Sequence, residues 1–468
     1  NTRYYDNQTD NYHQQNYQVL LTQQLSENWN LHAALFYTKG AGYYEQYKTG
    51  RTLTDYGLTP FYNKDGEKIK KTDLVRRKQM ENDFGGMIAS IHYQNKVVDA
   101  TVGGGINRYV GDHFGEITWV KNYVGALQPN ERYYDNQGRK TDANIYAKAT
   151  YLVAKGLNLY ADLQYRYLNY QISGANDNFD WNTGAMQQLD VNDSFHFFNP
   201  KVGINWQISN QHRLFASFSV AQKEPTRNNY TDGMFTVYPK SERLNDYEMG
   251  YQFKSERFSA GANLYYMDYK DQLVLTGQLN EIGEAMAANM PNSYRMGVEL
   301  MGSALLAKNL TLHLNATFSK NRIQDFTEVI YEDGWKNPIE TQLGDTPIAF
   351  SPDMLLNGSI NYTLGAFDMV WQTQYVSKQY MSNSKNEQQV LDAYNVSNFS
   401  LNYHFSLPHI KRVSVGVTLY NVFDEEYENN GWAYSKYEVK AGKNVRVDQA
   451  GYAAQAGTHL MGHLSLSF

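Results

Sequence analysis

Apolar and polar residues alternate with a period of two along much of this chain. After Ile410, the residues Val413, Val415, Val417 and Leu419 fall on one face, and Arg412, Ser414, Gly416 and Thr418 on the other. The last stretch repeats the pattern, with Leu460, Gly462, Leu464, Leu466 and Phe468 opposing Met461, His463, Ser465 and Ser467. Between 157 and 172, Leu157, Leu159, Ala161, Leu163 and Tyr165 oppose Asn158, Tyr160, Asp162, Gln164 and Arg166. Between 310 and 321, Leu310, Leu312, Leu314, Ala316 and Phe318 oppose Thr311, His313, Asn315, Thr317 and Ser319. Successive side chains of a strand point to opposite faces, so this period predicts strands with one oily side and one wet side.

The pattern predicts about 17 strands. They fall at 15–25, 30–38, 81–94, 96–108, 143–154, 157–172, 195–208 and 213–222, then at 243–254, 257–270, 293–306, 310–321, 352–363, 367–381, 393–405, 410–422 and 458–468. Minimal turns such as Gln94-Asn95-Lys96 and Lys155-Gly156 take turns with long polar stretches such as 39–80. A soluble all-β protein would have strands of about 5–6 residues and no such alternation. A transmembrane antiparallel β-barrel has both features. Its last strand, 458–468, must find a partner, because an open edge in lipid leaves backbone groups unsatisfied.

Composition changes the picture further. The mean hydropathy of −0.63 looks soluble, but barrel strands dilute their hydropathy by turning every second residue to the lumen. The 40 Tyr, 21 Phe and 7 Trp exceed what a soluble core needs; barrels place aromatic girdles at both interfaces. With no Cys there is neither a disulfide framework nor a thiolate metal site. A net charge of −6 argues against nucleic acid, which calls for a basic face. No composition shift divides the chain, so residues 1–468 are expected to form a single barrel domain.

Several motifs, taken together in order and spacing, resemble the TonB-dependent outer-membrane receptors over nearly the whole chain. Leu419-Tyr-Asn-Val-Phe-Asp-Glu-Glu-Tyr427 is similar to that family's penultimate-strand signature, and the aromatic end at Phe468 to its assembly signal. Phe215-Ala-Ser-Phe-Ser-Val-Ala-Gln-Lys-Glu-Pro225, the stretch Tyr238 to Gly250, Tyr265 to Gln272 and Arg295-Met-Gly-Val-Glu299 resemble its mid-barrel segments. The resemblance implies an outer-membrane receptor of a Gram-negative bacterium. It would import a scarce nutrient chelate, foremost a ferric siderophore, and be driven by a TonB-type protein. Haem, cobalamin and glycan importers of the same family are alternatives, as is a passive porin. Haem receptors of the family carry a Phe-Arg-Ala-Pro stretch where Gln222-Lys-Glu-Pro225 stands here. The family's N-terminal plug, and about five strands of a roughly 22-strand barrel, are expected to lie outside this chain, the TonB contact with them.

Chemistry beyond binding does not stand out. His459 and His463 share a strand face about 13 Å apart, too far to grip one ion. Gly103-Gly-Gly105 lacks the strand-to-helix context of a phosphate loop, so close packing is expected there. No metal, cofactor or catalytic constellation is read, and the chain is taken as a non-enzyme. Glu248 and Glu299 are expected in a lumen charge network with Arg166 and Arg295. Gly250, Gly297 and Gly302 are expected to relieve crowding or mark bends. Asn421 and Asp424 are read either as caps of a strand end or as signalling residues. The ligand is expected to meet loop aromatics and a cation: Tyr43, Tyr44, Tyr47, Arg51, Trp119, Tyr123, Trp335, Tyr380, Trp432 and Tyr434. Tyr and Trp offer wide, stiff surfaces with a polar handle, and Arg complements an anionic chelate. The alternative is that many of these rings form the outer girdle.

Overall fold

The computed structural model describes residues 7, 9–127, 131–180, 183–231, 238–279, 285–332 and 336–468. Its strands, in chain order, begin with β1 (Asp10–Gln24), β2 (Trp29–Thr52), β3 (Phe61–Tyr62), β4 (Lys68–Ile69), β5 (Lys71–Gln94) and β6 (Val98–Val120). Next come β7 (Arg132–Ala154), β8 (Leu157–Asp180), β9 (Ala185–Gln207), β10 (His212–Lys223), the one-turn helix α1 (Arg227–Thr231), β11 (Glu242–Lys254), β12 (Phe258–Leu279) and β13 (Ala285–Ala307). The chain continues with β14 (Leu310–Glu332), β15 (Lys336–Pro347), β16 (Met354–Leu364), β17 (Phe367–Val376), β18 (Gln379–Tyr380) and β19 (Val390–Leu391). It ends with β20 (Tyr394–Leu407), β21 (Ile410–Tyr420), β22 (Glu428–Lys440), β23 (Lys443–Ala454) and β24 (His459–Ser467). Twenty of these strands belong to one sheet. Seventeen of the twenty correspond to the strands expected from the alternation; β15, β22 and β23 are additional.

Two compact units make up the chain. One holds Asn1–Thr150 and Asp162–Asn199, the other Tyr151–Ala161 and Pro200–Phe468. In the first, β2, β5 and β6 form long antiparallel ladders whose register stacks like on like. Leu35 pairs with Met87 and Met87 with Ile106, and all three are exposed. In the second, Phe367, Tyr403, Val415 and Leu464 form one exposed apolar row, while Asp368, Asn402, Gly416 and His463 form the polar row beside it. A slip of one residue would exchange the two faces, so these registers are what the apolar pattern specifies. Every residue of β1 and of β24 is exposed. Among the described residues β1 has one ladder partner, β2, and β24 has one, β21.

The long polar stretches are the main correction. Residues 39–80, expected as a loop, are mostly strand: β2 runs 24 residues to Thr52 and β5 starts at Lys71. Both faces are polar there, so no alternation betrays the strand; the ladder alone continues it. At roughly 3.3 Å per residue such a strand reaches nearly 80 Å, whereas about 9–11 residues cross a bilayer core. The distal half of each long strand therefore stands clear of the apolar band. Side-chain contacts bear on two smaller expectations. Arg166 pairs with Asp142, and Arg295 donates to Asn321 and Ser351 while Glu299 accepts from Asn263. Gly302 relieves no crowding, since a Cβ there would meet only Ser259 O at 3.8 Å. At Gly104 the packing reading holds, a Cβ lying 2.5 Å from Asn144 O.

Leu159 and Leu163 are exposed, and Asp162 and Gln164 half-buried on the other face, where Gln164 accepts from Asn199 at 3.2 Å. Nitroxides at 163 and 164 in the reconstituted receptor are expected to be quenched by lipid-soluble and water-soluble reagents respectively. Reversed accessibility at both positions would refute the face assignment.

Candidate ligand-binding surfaces

Face parity sorts the expected ligand residues of the first unit. The β2–β5 register is unbroken from Trp29–Tyr93 to Lys48–Leu74, so odd residues of β2 stay on the face of Leu31 and Leu35. Tyr43 and Tyr47 therefore continue the apolar face outward, and Trp119, opposite Val75, joins them. Tyr47 stacks on Trp119 with ring centroids 6.0 Å apart, and Arg77 lies 4.4 Å over Tyr43. Asp73 ties this face together, accepting from the Gly50 N–H at 3.0 Å, Lys121 Nζ at 3.1 Å and the Tyr47 hydroxyl at 2.9 Å. The Gly50 amide, then Lys121 and Tyr47, hold its carboxyl below the usual range, and Asp73 in turn raises Lys121. Arg51 is exposed where the ladder breaks. Tyr43, Tyr47 and Trp119 thus share one face of the wall.

Tyr44 takes the opposite, polar face, together with residues that alternation alone did not single out. Arg76 is buried at 2% exposure, giving Nε and Nη2 to Gln46 Oε1 at 3.1 and 3.0 Å. Asp177 forms an ion pair with Lys78 and lies 3.6 Å from Arg76 Nη1. Tyr134 sits 6.0 Å under the Lys78 ammonium. Beside them a cluster of Leu53, Tyr56, Phe61, Leu74, Val120, Tyr133 and Tyr134 packs the segment 53–69 onto the wall, with Tyr123 edge-on to Phe61 at 5.3 Å. Burial drives the Tyr133 hydroxyl well above its ordinary value. Arg76 and Lys78 share parity with Leu74, and that pattern lies on β5 rather than in the loop expected over 39–80.

In the second unit the β22–β23 hairpin lies against β14. An extra residue at Asp325, with φ of 50°, breaks the β14 ladder between Ile323 and Phe326. It exchanges the faces beyond, so that Glu328 turns to the side that Ile323 occupied. Arg446 bridges the gap: its Nη1 and Nη2 reach Glu328 Oε2 and Oε1 at 2.6 and 3.0 Å, and its Nε reaches Asp448 Oδ1 at 2.9 Å. Burial pushes the Asp448 carboxyl up, but Ser435 and Arg446 outweigh it and the net direction is down. Gln389 donates from the 377–393 segment to Tyr434 O, Ser435 Oγ and Gln449 O. Trp432 and Tyr434 occupy the other face of the hairpin, Trp432 lying over Gly451. Tyr380 is engaged locally, donating to Glu387 at 2.6 Å under Lys378. Trp335 lies outside the described residues.

The polar face of this unit also carries a recess of about 530 Å³. Asn315, Asn357, Gln372, Gln374 and Asn398 line it with His313 and His459, and Tyr394 and Tyr427 pack with centroids 4.5 Å apart at one side. No Asp, Glu, Lys or Arg is among its described lining residues. Just beyond it, Asn421 caps the strand end: its Nδ2 donates to Glu425 O and Ala456 O, and its Oδ1 accepts from the Glu425 N–H. Asp424 accepts from the Thr458 N–H at 2.8 Å. The capping reading of both residues therefore has its hydrogen bonds.

Residues 1–422 match the family model described as TonB dependent receptor-like, beta-barrel. No curated protein matches the chain by sequence. Among solved structures, the ferric-catecholate import receptor Fiu of E. coli K12 is similar at 13% identity and a TM-score of 0.63, over 98% of this chain and 65% of that one. The ferric yersiniabactin uptake receptor FyuA of Yersinia pestis is similar at 14% identity and 0.62, over 96% and 60%. The copper transporter OprC is similar at 12% and 0.69, over 98% and 66%. At such identities the likeness is one of fold. The chain spans just under two thirds of the length of these structures.

Proposed function

The chain belongs to the TonB-dependent receptor family, and from that premise we propose that it is the barrel of an importer for a ferric siderophore. The family is one of outer-membrane β-barrel transport receptors in Gram-negative bacteria, not of enzymes. The observation that carries the reading is the family match along residues 1–422. Two neighbours named for ferric chelates support the substrate class. The apolar face contacts lipid, the polar face lines the lumen, and the distal strand halves meet ligand from outside. Energy comes from a TonB-type protein that is not part of this chain. Tyr44 and Lys78 are the first unit's ligand contacts, because they share the lumen side and are not buried as Arg76 is; a cation beside an aromatic ring suits an anionic, aromatic chelate. In the second unit Trp432 and Tyr434 take that role.

One observation favours a second reading. Amide side chains offer donors and acceptors together, which matches sugar hydroxyls, and the uncharged recess has several of them beside paired tyrosines. A glycan importer would use it. A strain deleted for the full-length receptor, iron-starved and fed single ferric siderophores, is expected to lose growth on one of them. Unchanged growth on all, with lost uptake of a neutral oligosaccharide, would replace the first reading with the second.

A further inference from the structure

The apolar face of the second unit is not smooth. A groove of about 690 Å³ runs across β13, β14, β16 and β17 toward β20, a size within the roughly 300–1,000 Å³ of small-ligand sites. Its floor is one cross-strand row: Gly302 pairs with Leu314, Leu314 with Gly358, Gly358 with Thr373 and Thr373 with Ser397. On one flank stand Ile360 and Trp371, on the other Leu356 and Tyr375, each pair again in register. The two glycines make the depression. A Cβ at Gly302 would meet only Ser259 O at 3.8 Å, and one at Gly358 only Leu314 Cδ2 and Thr373 Cγ2 at 3.5 Å and His313 O at 4.0 Å. Neither glycine is required by crowding or by backbone conformation.

The row climbs as it crosses the sheet. Leu314 stands four residues from the start of β14, Gly358 six from the end of β16 and Thr373 six from the start of β17; Ser397 stands ten from the end of β20. Strands tilted by about 40° gain roughly 2.5 Å of depth per residue. Crossing three strand spacings of about 4.8 Å at that tilt, the floor rises by about 9 Å, from about 10 Å to about 20 Å above the short turns, from mid-bilayer toward the outer edge of the apolar band. At the high end polar groups begin. Ser397 donates to Thr373 Oγ1 at 3.0 Å, and Thr373 donates to Asn395 Oδ1 at 3.0 Å. Ser397 is 3% exposed, so its hydroxyl is satisfied inside the wall. Asn395 is exposed and still carries two N–H donors at the rim.

We propose that this groove holds one acyl chain of an outer-leaflet membrane lipid, with the ester or amide carbonyl of that lipid accepting from Asn395. The proposal rests on the membrane reading of the apolar face. What covers such a face in the bilayer is lipid, and a groove that is apolar at depth and polar at its outer end matches an amphiphile's own polarity. Two of the five floor residues are glycines, which leaves room for a chain between Leu314 and Thr373, and the hydroxyls nearest it are already paired with each other.

The test uses the full-length receptor extracted from outer membranes in mild detergent, with retained lipid counted by native mass spectrometry. Wild type is expected to keep one lipid per barrel. Gly358→Leu fills the floor and is expected to lower retention at least tenfold, and Asn395→Ala several-fold, while both keep the fast gel migration of a folded barrel. Gly302→Leu supplies a second filled groove should Gly358→Leu fold poorly. A wild type free of lipid, equal retention in the filled variants, or a dimer that Gly358→Leu splits would each overturn the proposal. Loss of ferric-chelate uptake with lipid retention intact bears on the transport reading alone.

Discussion

Arg446→Ala is expected to detach the β22–β23 hairpin from β14 and to cost about 3 kcal/mol of local stability, because it leaves the Glu328 carboxylate buried without its cation. Glu328 is 7% exposed and held by two guanidinium hydrogen bonds, and the same guanidinium grips Asp448. Hydrogen exchange should rise by about two orders of magnitude across 428–454, and stay unchanged in β16 and β17. Arg446→Lys should recover little, since one ammonium cannot make both forked contacts. The latch should also weaken in acid. The Asp448 carboxyl titrates below its unfolded value, so its contribution is complete above that value and is lost as pH falls through the lower folded one. Arg446 is raised rather than lowered and keeps its charge throughout. Exchange in the hairpin that does not respond to Arg446→Ala would show that the hairpin is held by the 377–393 segment instead.

Phe61→Ala is expected to free the segment 53–69 from the first unit's wall. Phe61 is 6% exposed and packs with Leu53, Tyr56 and Leu74, and truncating a buried Phe costs roughly 3–5 kcal/mol. Beside that cluster, the segment is held by two short strands that pair Phe61 with Ile69 and Tyr62 with Lys68, and by the Leu53 N–H, which donates to Lys70 O. Protease cleavage between 57 and 70 should rise at least tenfold while the heat stability of the folded barrel stays the same. Cleavage at the wild-type rate would mean that Leu53 and Tyr56 suffice.

The fold was legible wherever one face met oil and the other water. Leu157 to Leu163 and Val413 to Leu419 alternate because the ladder puts successive side chains on opposite faces, and their strands stand where the alternation placed them. Beyond the apolar band that contrast disappears. Residues 39–52 and 71–80 are polar on both sides, so nothing in their order distinguishes a continuing ladder from a loop. The ligand residues suffered for the same reason. Tyr43 and Tyr47 look like Tyr44 in sequence, yet the unbroken register from Trp29 puts them on the lipid-side continuation and Tyr44 on the other. Arg76 and Lys78 lie within the same two-sided polar stretch, where sequence order does not mark them. The β22–β23 hairpin was unreadable because the contact that places it, Arg446 with Glu328, joins residues far apart in the chain and follows a bulge at Asp325. The Asn421–Asp424 motif shows the converse: it stands out in sequence through family resemblance, and its hydrogen bonds give it a local physical role.

Calorimetric titration of the purified full-length receptor with a panel of ferric siderophores, set beside neutral oligosaccharides, tests the transport reading most directly. One ferric chelate is expected to bind with a Kd below about 1 μM, equivalent to roughly −8 kcal/mol. Lys78→Ala and Tyr44→Ala should weaken it at least tenfold, whereas Tyr47→Ala leaves it unchanged. Binding of a neutral oligosaccharide with no response to any ferric chelate would contradict the account.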